Sequence, residues 1–226
     1  MTPLETTDLL EDRSLRGPDF CRALTERIDG FLAEVFAAAD PPTGTALVAV
    51  GGYGRREQCP GSDVDVVLVH PPGVDIADVA ERVWYPLWDA GLKLGHQVGT
   101  LPQLLEVASE HLDTATSLLA ARPVAGDPAV AERLAAEALE QWSGRSRRHL
   151  DDLQASVAER HARYGEVAFL LEPDLKESRG GLRDVHNLLW VEQATVPILR
   201  EVESAGLVAA AETLLAVRVE LHRLTG

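Results

Sequence analysis

Two aspartates separated by one residue are the side chains of this sequence best suited to chemistry. Asp63 and Asp65 stand in the run Ser62-Asp63-Val64-Asp65-Val66, which opens a β-branched stretch. Because residues two apart on a strand share a face, both carboxylates are predicted to project together while Val64 and Val66 face the core. Carboxylate pairs suit Mg²⁺, which binds through one or two carboxylates and substrate phosphates. Two such ions about 3.5–4 Å apart activate an attacking hydroxyl and neutralise a leaving pyrophosphate.

A glycine pair precedes the aspartates along the chain. Gly51 and Gly52 follow a short β-branched run, Thr45 to Val50, that predicts a buried strand. Glycine lets the backbone approach a triphosphate without a side-chain collision and offers N–H donors to it. Glycines and aspartates together fit nucleotidyl transfer, in which catalysis is largely positioning and charge neutralisation.

Other motifs built from the same residue types fit less well. In a dinucleotide fingerprint the third glycine is replaced here by Glu57, and no Gly-Lys-Ser/Thr follows for a Walker loop. An EF-hand counted from Asp63 has Val74 at its twelfth position, where glutamate is required. An Asp-x-Asp or a Gly-Gly alone is usually a turn. Their order favours a metal–nucleotide site: strand, glycine pair, loop, aspartate pair, strand.

A second block of interest runs from Glu172 to Asp184. Gly180 and Gly181 precede a helical pattern, and the N-terminus of a helix after glycines is an anion site. Lys176 and Arg183 could add cations near phosphates. The alternative is a loop that enters a helix and carries surface charges.

Arg55 is open to two interpretations of the same kind. It could contact phosphate, or it could pair with a carboxylate, either that of Glu57 or that of an aspartate.

The elements that position these residues predict an α/β (α+β) fold. A helix at about 19–39, strands at 45–50, 64–70 and 92–100 and a helix at 75–90 precede an almost wholly helical remainder. The sequence thus predicts a small mixed β-sheet with flanking helices in 1–100, followed by an all-helical segment in 101–226.

Composition restricts the partners. The chain has 226 residues and a net charge of -15, and an acidic surface of that kind repels nucleic acid and anionic membranes. Cys21 and Cys59 lack the spacing of a metal or redox motif and predict free thiols in a reducing cytoplasm. Neither a signal peptide nor a membrane span is predicted.

The run GGYGRREQCPGSDVDVVLVH resembles the signature of the DNA polymerase β-type nucleotidyltransferases. Three later blocks narrow the resemblance to the PII uridylyltransferase/uridylyl-removing enzymes: 88–96, 113–127 and 172–184. The resemblance implies Mg²⁺-dependent transfer of UMP or AMP from UTP or ATP to a tyrosine of the PII signalling protein. Residues 1–100 would be the nucleotidyltransferase core, and 101–226 would carry the second block of the nucleotide site.

Roles follow from the motifs and the resemblance together. Asp63 and Asp65 are predicted to be catalytic and to bind metal. The residues predicted to bind nucleotide are Gly51, Gly52, Gly54, Arg55, Ser62, Lys176, Gly180, Gly181 and Arg183.

Departures from the family keep alternatives open. The superfamily has a third metal-facing carboxylate on a later strand, where His96 is the most plausible polar substitute here, and Gly99 stands where the family tends to have arginine. None of the seven histidines precedes an aspartate, so no His-Asp pair of a hydrolase is present and no removing activity is expected. The family extends beyond the last helical pattern, which predicts a truncated chain. A non-catalytic nucleotide-binding or regulatory domain, or transfer to another acceptor, remains the alternative, and the sequence does not choose between UTP and ATP.

Overall fold

The computed structural model describes residues 3–194 and 201–225, and side chains for 3–194 and 204–225. Its helices are α1 (Thr7–Glu11), α2 (Gly17–Ala38), α3 (Gly51–Gly54), α4 (Ala77–Asp89), α5 (Leu101–Glu110), α6 (Leu112–Leu118), α7 (Pro128–Gly144), α8 (Ser146–Tyr164), α9 (Leu182–Ala194) and α10 (Glu201–Thr225). Its strands are β1 (Ala46–Ala49), β2 (Val64–Val69), β3 (Leu94–Gly99) and β4 (Arg122–Gly126). Among the helices of these ranges, none combines the length and apolar character that crossing a membrane needs.

The four strands form one mixed sheet in the order β3-β2-β1-β4. β1 is antiparallel to both of its neighbours, whereas β2 and β3 are parallel and are connected through α4. The predicted α/β fold, a small mixed sheet with flanking helices, is confirmed. In the register, Asp65 pairs with Gly95 and Val66 pairs with His96. This register decides which side chains of β3 share a face with the aspartate.

Both faces of the sheet are covered by helices. Val64, Val66 and Leu68 of β2 join α2, α4 and α10 in one core cluster. Val67 and Val69 point the other way and join α5, α6 and α7 in a second cluster. A strand buried on both faces carries an almost continuous apolar run. Asp65 is the polar interruption of that run and lies at its beginning.

The strand β4 corrects the prediction that the chain is almost wholly helical after position 100. It pairs with β1 at the edge of the sheet, where the missing N–H of Pro123 is tolerated. The sheet therefore draws on both predicted segments, and the division near residue 100 stays a prediction. Residues 195–200 of the predicted helical segment lie outside the described residues.

A buried polar network fixes α3 to its surroundings. The hydroxyl of Tyr53 donates to Asp29 Oδ1 at 2.5 Å, and Arg122 donates to both Asp29 oxygens, at 2.7 and 3.0 Å. Burial first, and then the charge of Asp29, raise the pKa of Tyr53, so the phenol stays protonated. The network joins α2, α3 and β4, and Tyr53 packs within it.

The two cysteines are free and buried, on α2 and in the loop after α3. Although distant in sequence, Cys21 and Cys59 lie close enough for each thiol to change the pKa of the other. The neighbouring Cys59, followed by burial, raises the pKa of Cys21, which keeps it a neutral thiol.

Candidate active site

A cavity of about 670 Å³ opens where β1 ends and β2 and β3 begin. Its walls are the turn α3, the first residues of β2 and β3, the helix α6, the loop at 165–181 with the start of α9, and α10. The volume is typical of a small-molecule site. The structure brings most of the predicted site residues to this cavity: Gly51, Gly52, Arg55, Ser62, Asp63, Asp65, Lys176 and Arg183.

The two aspartates face the cavity together, as their spacing predicts. Asp65 is the second residue of β2, and Asp63 directly precedes the strand. Burial first, and the negative charge of Asp63 next, raise the pKa of Asp65. Lys176 and two arginines oppose this rise from a distance. Within the described residues, neither aspartate forms an ion pair, because the nearby cations pair with glutamates instead.

Two glycines leave the space that the Asp65 carboxylate occupies. Gly51 has a φ of +56°, and a methyl group there would lie 3.0 Å from Oδ2 of Asp65 and 3.1 Å from Oγ of Ser117. A methyl group on Gly95, the register partner of Asp65, would overlap Oδ1. The carboxylate is therefore held in a cradle between α3 and β3 that side chains at these positions would close.

The donors at this cradle fit a magnesium ion. Both carboxylates supply hard oxygen atoms without a neutralising partner, and the buried Oγ of Ser62 has no hydrogen-bond partner. Among residues 3–194 and 204–225, no group of three or more His, Cys, Asp or Glu side chains has the arrangement of a metal site. Magnesium binds through as few as one or two carboxylates and completes its shell with water and phosphate, so the pair satisfies its requirement.

A partly buried set of ion pairs links the glycine turn to α9. Nε of Arg55 lies 2.9 Å from the Glu57 carboxylate, and Nε2 of His186 lies 3.0 Å from it. Although burial opposes ionisation, these partners lower the pKa of Glu57 to about 2. Burial, the largest effect, lowers the pKa of His186, and its Nδ1 is buried without a partner. Of the two interpretations of Arg55, the structure shows the pairing with Glu57, with the side chain still on the cavity wall.

The loop at 165–181 brings cations to the cavity. Nζ of Lys176 lies 3.6 Å from Glu177, and Arg183 lies 3.3 Å from the same carboxylate. One carboxylate thus serves two cations. The positive charge of Lys176 and Arg183 is therefore only partly neutralised, and the remainder acts on the cavity.

The two glycines of this loop lie outside the cavity lining, and their amides are already bonded. The N–H of Gly180 donates to Asp184 and that of Gly181 to Ser178, while those of Leu182 and Arg183 donate to carbonyls of the loop. The start of α9 therefore leaves no row of open amides for an anion. Gly181 allows close packing instead, since a methyl group there would lie 2.7 to 3.0 Å from three carbonyl oxygens.

Two further residues singled out by the sequence differ in position, since Gly54 lies outside the cavity lining and His96 belongs to it. Gly54 is buried outside the cavity lining, and a methyl group on it would overlap the carbonyl oxygen of Ala120. His96 pairs in register with Val66, so its side chain points away from the face of Asp65. Its ring packs against Trp84 and Trp88, at centroid distances of 5.1 and 5.6 Å. His96 nevertheless lines the same cavity as Asp63 and Asp65, and its role as a substitute for a third carboxylate stays a prediction.

Some cavity residues carried no signal in the sequence. Glu57 and His186 belong to this group, as do Arg218 and His222, which α10 contributes from the far end of the described chain. Arg218 and His222 are four residues apart and so share a face of α10, but nothing in the sequence around them indicates what this helix packs against.

Two family models match the chain. Residues 18–97 match the putative nucleotidyltransferase DUF294, and residues 148–226 match GlnD PII-uridylyltransferase. The first range contains the glycines and aspartates of the cavity, and the second contains its cationic loop and α10.

Curated relatives named "Bifunctional uridylyltransferase/uridylyl-removing enzyme" are similar over most of the chain. The protein of Streptomyces coelicolor is 44% identical over 96% of this chain and 26% of its own length. That of Mycobacterium tuberculosis is 40% identical over 81% of this chain and 24% of its own. That of Burkholderia orbicola is 37% identical over 90% and 25%. The chain thus spans about a quarter of the length of these relatives.

Proposed function

Because the chain carries a nucleotidyltransferase domain related to that of the bifunctional uridylyltransferase/uridylyl-removing enzymes, we propose that it transfers a nucleotidyl group from UTP or ATP to a tyrosine of the PII signalling protein. One observation carries the proposal. Asp63 and Asp65 face a cavity of nucleotide size without ion-pair partners in the described residues, between glycines and opposite cations.

In this proposal Asp63 and Asp65 hold Mg²⁺. When bound, the ion supplies positive charge against the phosphates and lowers the pKa of a hydroxyl group. The raised pKa of Asp65 has a direct bearing on this step, since the cost of its ionisation in a buried, negative setting falls when a cation joins it.

The remaining residues bind and orient the nucleotide. Lys176 and Arg183 attract the phosphates, Ser62 offers a hydroxyl group that lacks a partner, and the backbone of Gly51 and Gly52 allows close approach. The tyrosine oxygen of the acceptor attacks the α-phosphorus, the bond to the bridging oxygen breaks, and pyrophosphate leaves. The tyrosine proton departs to solvent or base.

The test combines binding with transfer. Titration calorimetry with UTP and ATP, with and without Mg²⁺, measures the site, and a labelled-nucleotide assay on PII measures the reaction. Asp63→Asn and Asp65→Asn remove ligand charge while keeping side-chain shape. We expect each to reduce transfer by at least about a hundredfold, since each metal contact contributes several kcal/mol of charge stabilisation.

Asp151→Asn is the matched control, because Asp151 is exposed on α8 and lies outside the cavity lining. It should transfer at the rate of the unaltered chain. Normal transfer by both cavity variants would refute the metal site. Binding of Mg²⁺-nucleotide without transfer to PII would favour a non-catalytic domain or another acceptor.

A further inference from the structure

The helix α10 forms one wall of the cavity with residues one turn apart. Arg218 and His222 both line the cavity, and their spacing of four places them on one face of the helix. Leu215 and Val219 are buried on a neighbouring face, in the core cluster shared with α2. The helix thus presents an apolar face to the core and a basic one to the cavity.

Several contacts fix α10 in this position. His222 Nδ1 is hydrogen-bonded to the carbonyl of Pro60, in the loop that leads into the aspartates. The guanidinium of Arg223 lies 4.2 Å from the ring centroid of Phe20 and donates to carbonyls of Leu9 and Leu15. Arg218 is consequently held against the cavity by a helix that is anchored on both of its flanks.

Arg218 differs from the other cations of the cavity. Arg55, Lys176 and Arg183 each pair with a glutamate. For Arg218, by contrast, no ion pair or hydrogen bond occurs with any described side chain, although it is only partly exposed. A partly buried, unpaired guanidinium costs stability unless an anion completes it.

We propose that Arg218 contacts the phosphate groups of the nucleoside triphosphate and that α10 completes the phosphate-binding wall of the site. This assignment deepens the proposed function and rests on it. A guanidinium offers paired N–H donors in the geometry of phosphate oxygens, which a base or a ribose does not match as well. The contribution of this contact to nucleotide affinity should therefore be the same for UTP and ATP and should increase with the number of phosphates.

The experiment compares Arg218→Gln and Arg218→Lys with the unaltered chain in calorimetric titrations of UTP, ATP and UMP in the presence of Mg²⁺. For Arg218→Gln we expect the Kd of UTP and of ATP to rise by about tenfold or more, and that of UMP by clearly less. Arg218→Lys should recover part of the loss, because it restores charge without the forked donors. Arg147→Gln is the control, an equal change of charge on the exposed face of α8.

Each outcome decides the assignment. Melting curves show whether each variant is folded. If the Arg218→Gln variant is misfolded, the comparison uses the Arg218→Lys variant, which retains the positive charge. Unchanged UTP affinity in a folded variant, or an equal loss for UTP and UMP, would overturn the role of Arg218 while leaving the proposed function intact. Failure of the unaltered chain to bind any triphosphate would refute the proposed function and this assignment with it.

Discussion

Replacing Gly95 with alanine should move the Asp65 carboxylate without altering any charge. A methyl group on Gly95 would stand closer than 3.0 Å to Oδ1 of Asp65, which carbon and oxygen do not tolerate. Ordinary contact lies at about 3.3 Å, so the carboxylate must move by on the order of 1 Å. Asp65 can rotate, since the clash involves the end of a side chain, and the φ of Gly95 is one that alanine adopts.

The cost should therefore fall on catalysis more than on folding. A misplacement of about 1 Å reduces catalysis by about a hundredfold, which corresponds to about 2.7 kcal/mol in the activation free energy. Folding should change by less than about 1 kcal/mol, because alanine also restricts the unfolded chain. The assay is the rate of labelled-nucleotide transfer to PII, measured beside a thermal melt and a Mg²⁺ titration of activity.

The same strand offers a matched control. Gly99 shares the face of Gly95, and a methyl group there would meet Gln103 and Leu104 at 3.6 Å, an ordinary contact. Gly99→Ala should keep full activity. If Gly95→Ala transfers as fast as the unaltered chain at every Mg²⁺ concentration, the position of Asp65 does not matter to the reaction and the reasoning fails.

Two other predictions concern pH and the reverse reaction. Because the pKa of Glu57 is lowered, the ionised side chain contributes up to about 3 kcal/mol to the free energy of unfolding above pH 4.5, and this contribution disappears as the pH falls toward about 2. Denaturant titrations should show a weaker pH dependence of stability in this range for Glu57→Gln. An unchanged pH dependence would contradict the ion pair. Incubating nucleotidylated PII with this chain and Mg²⁺ or Mn²⁺ should release no mononucleotide by mass spectrometry, because no histidine here precedes an aspartate; metal-dependent release above a no-enzyme control would reveal a hydrolytic site that the sequence did not indicate.

The parts of the site that could be predicted from the sequence are those formed by short local motifs. The strand, the glycine pair and the aspartate pair lie within about twenty residues, so spacing alone indicated that Asp63 and Asp65 meet. The packing of the His96 ring against Trp84 and Trp88 shows where such reasoning stops. The strand around it was predicted, but a shift of one residue in register reverses its face, and register depends on pairing with β2.

Features that depend on partners distant in the chain could not be predicted from the sequence. β4 contains a proline and ends in glycine, and only its place beside β1 makes it a strand. The amides before α9 were predicted to be open, and their occupation depends on how the loop folds back on itself. Arg218 belongs to the cavity because α10 packs on α2, a contact between parts of the chain nearly two hundred residues apart.

The position of α10 also sets the order in which the cavity can be completed during synthesis. The glycine turn and the aspartates emerge early from the ribosome, whereas Arg218 and His222 follow on the order of ten seconds or more later at ordinary rates of translation. Until then the part of α2 that packs against α10 stays uncovered and open to contact with other chains. Closing such long-range contacts is slow relative to forming helices. A nascent chain therefore has both aspartates well before the wall that closes the cavity, and that interval is when it most needs protection from aggregation.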